Sequence, residues 1–189
     1  MRADAKRNRE RLLDAAVDVI LTVGGEPARD ALAKRAGVGI GTLYRHFPDQ
    51  QSLLHAVALY VLDRTIADGE LLLETADNGA DALREYMHGA VDNGLGALNL
   101  IYRLLDDVSW PERRERADAL LNNIVDRAKH DGVMRPDATV HDVGFAVIRA
   151  CRPLGVGLPA EEERRQAHRH IDIFVDGLLV ERSPHEQTS

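Results

Sequence analysis

Residues 36–48 read AGVGIGTLYRHFP, and two readings compete for them. Glycines at alternate positions, Gly37, Gly39 and Gly41, suggest a loop that cradles a nucleotide phosphate. The same glycines stand directly before Thr42-Leu43-Tyr44, where a short helix could begin. A dinucleotide loop needs a strand ahead of it, so that the turn lifts backbone N–H groups toward the pyrophosphate. The stretch ahead, ARDALAKRA (28–36), is instead charged, alanine-rich and helical in period. The spacing is also G-x-G-x-G, not G-x-G-x-x-G. A helix-turn-helix accounts for every residue. Gly37 makes the tight turn between two steeply crossing helices. Val38 fills the angle between them, and Gly39, Ile40 and Gly41 form the first turn of the third helix. Small residues there let backbone N–H groups approach a phosphate. Leu43 and Phe47, four apart, face inward. The opposite face then carries Gly41 and Arg45, with Ile40 and Tyr44 on one flank and Thr42 and His46 on the other. That is a hydrogen-bonding surface of a size to enter a major groove.

The same reasoning extends in both directions. Leu12, Ala16, Val19 and Ile20 share one face of a first helix, which Gly24-Gly25 ends. Pro27 suits the first turn of a second helix, with Ala31, Leu32 and Ala36 inward. Pro48-Asp49 closes the third helix and opens a long fourth one reaching into the 70s, with Gly69 as a weak point. DNGAD (77–81) reads as a turn, and Ser109-Trp110-Pro111-Glu112 as a capping box opening a helix. Gly132 and Pro136-Asp137 bracket a further break, and CRPLGVGLP (151–159) is a loop. Glu161, Glu162 and Glu163 place negative charge at the start of a last helix. The polar tail over 184–189 is expected to be disordered. The whole is all-α, about nine helices with no strand.

Composition agrees with a helical protein and bounds its surroundings. Ala, Leu, Arg, Glu and Asp dominate, and aromatic residues are only 4%. The single cysteine, Cys151, forbids an internal disulfide and fits a reducing cytoplasm. No apolar run approaches the ~18 residues that span a bilayer. Asp14 and Asp18 interrupt any signal-peptide core. No membrane partner is therefore expected. The net charge of −7 is unevenly spread. Residues 1–55 carry nine Lys/Arg against seven Asp/Glu, and the remainder carries fifteen against twenty-four. A mildly basic head on an acidic body is compatible with DNA, which responds to the local field.

LAKRAGVGIGTLYRHFPDQQSLLHAV (32–57) closely resembles the signature of the TetR family of transcriptional regulators. RERLLDAAVDVI (9–20) resembles that family's first helix, and RHIDIFVDGLLV (169–180) the last helix of many members. The resemblance implies a helical homodimer. Residues 1–48 would be a three-helix helix-turn-helix DNA-binding domain, and 49–189 a ligand-binding and dimerisation domain. It implies that Thr42, Tyr44 and His46 touch DNA, Tyr44 on a phosphate. Arg29, Gly39, Ile40, Gly41 and Arg45 join that set. Tyr44 as a side cover and His46 as a solvated surface residue are the plainer alternatives. Family members often carry Lys or Arg where this chain has Gln50; a neutral amide still donates but releases no counterion. Lys6 and Arg7, with Arg9 and Arg11, suggest a backbone-contacting arm ahead of the first helix. An ordinary charged helix start is the alternative.

The body is read from its apolar faces. Ile171, Phe174, Val175, Leu178 and Leu179 make a stripe on the last helix, and the helix at 139–152 carries Val143 and Val147. Apolar over more than half their circumference, both helices must bury two sides. One side suits a partner subunit, and a deeper monomer core is the alternative. Met87, Asn99, Tyr102, Trp110, Phe145, Arg149 and Cys151 are candidate linings of a small-molecule pocket. Arg149 and Arg152 would bind an acidic ligand or pair with Asp172 or Asp176. No nucleophile elbow, P-loop or H-E-x-x-H occurs. His168 and His170 point to different helix faces, so no metal and no cofactor are expected. A ligand-responsive repressor fits best, bound to duplex DNA at a near-palindrome as a dimer and released by a small-molecule effector. A helical enzyme and a protein-interaction module are the alternatives.

Overall fold

The computed structural model describes residues 2–106, 110–154 and 157–180. Among them the chain forms nine helices: α1 (Arg2–Val23), α2 (Arg29–Ala36), α3 (Ile40–His46), α4 (Gln50–Thr75), α5 (Gly79–Asp92), α6 (Gly96–Ile101), α7 (Pro111–His130), α8 (Val140–Cys151) and α9 (Ala160–Leu178). The only pairing of extended backbone there is an isolated antiparallel bridge, Met134 to Leu179, which ties the end of α9 to the α7–α8 connection.

The helix ends follow local chemistry. Gly24 and Gly37 both take positive φ, 74° and 64°, and terminate α1 and α2. Gly37 donates to the Ala33 and Lys34 carbonyls, which would otherwise be orphaned at the end of α2. α4 and α8 each open on a reciprocal capping box, Asp49 with Ser52 and Thr139 with Asp142. Arg127 closes α4 from outside, donating to the Leu73 and Ala76 carbonyls at 2.8 and 2.6 Å.

Two hydrophobic clusters hold the fold. The first joins Leu12, Leu13, Ala16 and Ile20 of α1, Leu32 of α2, Leu43 of α3 and Phe47. It continues through Leu53, Leu54, Val57 and Val61 of α4 into Ala97, Leu98 and Ile101 of α6. A division after Pro48 cuts through this cluster, because the first half of α4 packs with the head. The second cluster gathers Ile66, Leu83, Tyr86, Met87, Leu120, Ile124, Val143, Val147, Ile171 and Val175 from α4, α5, α7, α8 and α9.

Several local expectations are corrected. Pro27 precedes α2, whose N-cap is Ala28. Ala31 faces solvent, and Ala33 takes its place in the core. Gly69 lies inside an unbroken α4; a side chain there would collide with Leu120 and Tyr86, so the glycine is a close-packing position. α5 already begins at Gly79, capped by Asn78, inside the stretch read as a turn. Trp110, with Pro111 following, occupies the N-cap of α7. Ser109 of the proposed capping box and the tail over 184–189 lie outside the described residues.

Candidate nucleic-acid interface and effector pocket

α3 is seven residues long and is positioned entirely from behind. Leu43 and Phe47 are buried, and Val38 packs beside them. Their burial turns the other face outward: Ile40 and Tyr44 are 40% and 49% exposed, Gly41 and Arg45 are exposed, and Thr42 and His46 are half-buried. The N-cap, Gly39, has no side chain to satisfy the first backbone N–H groups. Arg45 lies back along its own helix, Nε donating to the Gly41 carbonyl at 3.2 Å and Nη2 standing 3.5 Å from the Thr42 hydroxyl. Both contacts are exposed and can be exchanged for a partner's oxygen.

Arg29 of α2 is held against the end of α3. Its Nη1 donates to the Phe47 carbonyl at 2.7 Å, closing the end of α3. Its guanidinium lies 4.8 Å from the Tyr44 ring centre, a cation–π contact that fixes the phenol's direction. Its Nη2 and the Gln50 Nε2, at the start of α4, are buried and have no hydrogen-bond partner among the described residues. Lys6 and Arg7 form no separate arm, since α1 already begins at Arg2. Lys6 pairs with Glu10 at 3.8 Å and Arg7 with Asp4, both on the surface. Arg9 lies over the Phe47 ring at 5.5 Å.

A cavity of about 300 Å³ opens in the body. Leu62 and Ile66 of α4, Tyr86 of α5, Leu98 of α6, Leu121 of α7 and Ile148 of α8 are among its walls. Three of the expected residues meet there: Asn99, Tyr102 and Trp110. Asn99 donates to the Ile148 carbonyl at 3.3 Å, and Tyr102 meets Trp110 edge to face, centroids 6.0 Å apart. The other four are elsewhere: Met87, Phe145 and Arg149 share the wall of another cavity, about 400 Å³, among α5, α8 and α9. Met87 is fully buried in the second cluster. Phe145 is 59% exposed on the outer side of α8. Arg149 and Cys151 line a separate cavity of about 420 Å³ between α1 and the α8–α9 region. Burial pushes the Cys151 thiol up to about 12. Sequence reasoning missed Tyr86, whose phenol burial also pushes up to about 12. It missed Thr65 and Asp118 as well. No local pattern marks these residues, because five helices meet to build the wall.

Two further corrections concern the body. Val143, Val147, Ile171, Val175 and Leu178 are buried within their own chain, so they offer no area to a partner. The exposed apolar residues on α8 and α9 are Phe145, Ile148 and Ile173, with Phe174 partly buried beside them. Arg149 and Arg152 do not pair with Asp172 or Asp176. Arg84 takes both carboxylates, at 2.9 and 2.5 Å.

Residues 12–57 match the family described as bacterial regulatory proteins, tetR family. Residues 79–180 match the SbtR-like transcriptional regulator C-terminal domain. The chain is a TetR-family transcriptional regulator. It is 26% identical over 175 residues to the HTH-type transcriptional repressor LfrR of Mycolicibacterium smegmatis, covering 92% of this chain and 89% of that one. Among solved structures it resembles the TetR transcription regulatory protein of Mycobacterium vanbaalenii, at 32% identity and TM-score 0.66, covering 95% and 99% of the two chains. It also resembles the TetR regulator SCO0520 of Streptomyces coelicolor, at 28% identity and TM-score 0.71, covering 90% and 98%. As a TetR-family protein the chain is a DNA-binding, ligand-responsive transcriptional regulator. The tetR match ends at Val57, within the part of α4 that packs on the head. Among the described residues, no helix of this regulator is long and apolar enough to cross a membrane.

Proposed function

We propose that this TetR-family regulator is a dimeric repressor released from a near-palindromic operator when a small, largely apolar effector enters the five-helix cavity. One observation carries the reading. Leu98 of α6 is at once a wall of that cavity and a member of the head's core. A ligand that pushes on Leu98 therefore pushes on the packing that sets the pose of α3. Two close contacts leave α6 little room to move independently. Side chains at Gly94 and Gly96 would collide with Val17 of α1 and with the Cys151 carbonyl of α8. Coupling of about 1–3 kcal/mol between effector and DNA is typical of such devices.

On the DNA side, Tyr44, Thr42, Arg45 and His46 make the contacts, with Tyr44 aimed by Arg29. The dimer forms through the exposed apolar residues of α8 and α9, setting two α3 helices on half-sites about 34 Å apart or a multiple of that. Tyr86 supplies the cavity's inner polar handle, and Asn99 and Asp118 those nearer the mouth. A solved structure of LfrR is described as a complex with proflavine. That flat aromatic cation is the first effector to try here.

The test is selection of bound duplexes from random DNA by the full-length protein, followed by anisotropy titration with and without proflavine. A palindromic consensus whose binding weakens on adding a cavity ligand supports the reading. Equal affinity for every duplex, or non-palindromic sites occupied by one chain, would sink it. A proflavine complex that leaves duplex affinity unchanged would remove the proposed coupling through Leu98 and leave the operator assignment standing.

A further inference from the structure

A second polar cluster lies between α5 and α9, outside both sites. His88 and His168 meet there with their Nδ1 atoms 2.5 Å apart. The His88 Nε2 stands 3.0 Å from Asp172 Oδ1, and the His168 Nε2 stands 3.1 Å from Asp92 Oδ1. The ring centroids are 4.8 Å apart and the planes differ by 24°. That centroid distance is the N···N distance plus one ring radius at each end. The two Nδ1 atoms therefore lie on the line joining the ring centres. The rings meet edge to edge, close to coplanar, and their lone pairs point at one another.

The carboxylates fix the tautomers. An ionised carboxylate only accepts, so each Nε2 carries its hydrogen. With each Nε2 hydrogen on a carboxylate, the two Nδ1 atoms 2.5 Å apart must share a cation, either one proton or a metal ion in its place. An imidazole held by a carboxylate on its far nitrogen is also how proteins orient histidines that bind metal, and the arrangement occurs here twice.

We propose that His88 and His168 are the two protein ligands of a transition-metal site of the imidazole-preferring class, zinc, copper or nickel, with water completing the coordination. Metal–nitrogen bonds of about 2.0–2.1 Å place two tetrahedral nitrogens about 3.3 Å apart. To accept the ion the rings must part by roughly 0.8 Å and also turn, so that their lone pairs meet off the line that joins the ring centres. The two side chains are 26% and 27% exposed, so ion and water can reach them. No group of three or more His, Cys, Asp and Glu suited to a metal occurs among the described residues, which makes this an open two-ligand site. Arg84 holds Asp172 and Asp176 together and so keeps the His88 partner in place. A bound ion would tie α5, which carries Tyr86 of the cavity wall, to α9.

Full-length protein stripped with a chelator and titrated calorimetrically with Zn²⁺ and Ni²⁺ tests this. Wild type and His170→Ala, a control on another face of α9, should each take up one tight ion per chain. His88→Ala and His168→Ala should lose that ion, and Asp92→Asn should weaken it about 10–100-fold. Equal binding by wild type and His168→Ala, or binding by neither, would overturn the site and leave a shared proton between the rings. Circular dichroism checks that each variant folds. Should either histidine variant fail to fold, X-ray absorption of the wild-type zinc complex decides. Two imidazoles in the first coordination sphere support the site, and one or none overturns it.

Discussion

Tyr44 and Arg29 show how one residue's role depends on its neighbour. A phenol half-exposed on a helix has many directions available. The guanidinium beside it leaves few, because the same group is anchored on the Phe47 carbonyl. Tyr44→Phe removes one hydrogen bond, about 1 kcal/mol, and should weaken operator binding roughly fivefold. Arg29→Ala should weaken it by about tenfold without any loss of a direct DNA contact, since a hydrogen bond to a charged group is worth about 1.5–3 kcal/mol. Anisotropy titrations on the selected duplex measure both. If Arg29→Ala binds like wild type, Tyr44 is not aimed by it. Cys151 gives a prediction of another kind. Its thiol is pushed up to about 12 by burial, so the thiolate is scarce at pH 8.5. Iodoacetamide should leave it unmodified in native protein and modify it in guanidinium, as mass spectrometry will read. The unfolded thiol ionises near 8.5 and the folded one does not, so the unfolded chain binds fewer protons. Stability should therefore fall as pH rises from about 8.5 toward the folded value, and thermal melts across that range check the sign.

At the scale of elements, α6 joins the head's core to the wall of the cavity. It is only six residues long, Gly96 to Ile101, and belongs to two neighbourhoods. Ala97 and Ile101 are fully buried in the head's core, while Leu98 and Asn99 line the cavity. Leu98→Ala should cost about 2–4 kcal/mol of stability, since a buried leucine is removed from a packed cluster. It should also blunt the response to effector, because the contact that transmits it is shortened. Chemical denaturation measures the first effect, and effector titration of the DNA complex the second. Undiminished relief of DNA binding in Leu98→Ala would show that the signal takes another route. The helix ends make the opposite point. The glycine breaks after α1 and α2 and the acidic opening of α9 were legible from the sequence, because caps and turns are settled within four or five residues. The position of Pro27 ahead of α2 was not, since the first turn of a helix shifts easily by one or two residues.

The whole molecule sets which apolar surface is left for a partner. The α8 and α9 stripes were recognisable as two-sided, but which side faces inward was not. Val143, Val147, Ile171 and Val175 went to the chain's own core, and Phe145 and Ile173 were left outside, each 59% exposed. Phe145→Glu with Ile173→Glu should give a monomer by sedimentation velocity while leaving the melting temperature within a few degrees. Exposed substitutions away from a core usually change stability by about 0.5 kcal/mol or less. A charged double variant that stays dimeric would move the interface elsewhere.

The sequence by itself determined the all-helical class, the helices of the head and the outward face of α3. Those features depend on spacings of three, four and seven residues, glycine's freedom at positive φ, and the burial of Leu43 and Phe47, all of them local. Tertiary structure alone decided that Arg29 reaches the Phe47 carbonyl and the Tyr44 ring, that Tyr86 and not Met87 faces the five-helix cavity, and that His168 meets His88. Each of these depends on helices 15 to 80 residues apart being brought together at a particular rotation. A rotation of one residue's worth, about 100° at 3.6 residues per turn, would exchange the inward and outward sets. Only the simultaneous packing of several helices around shared cores fixes that angle.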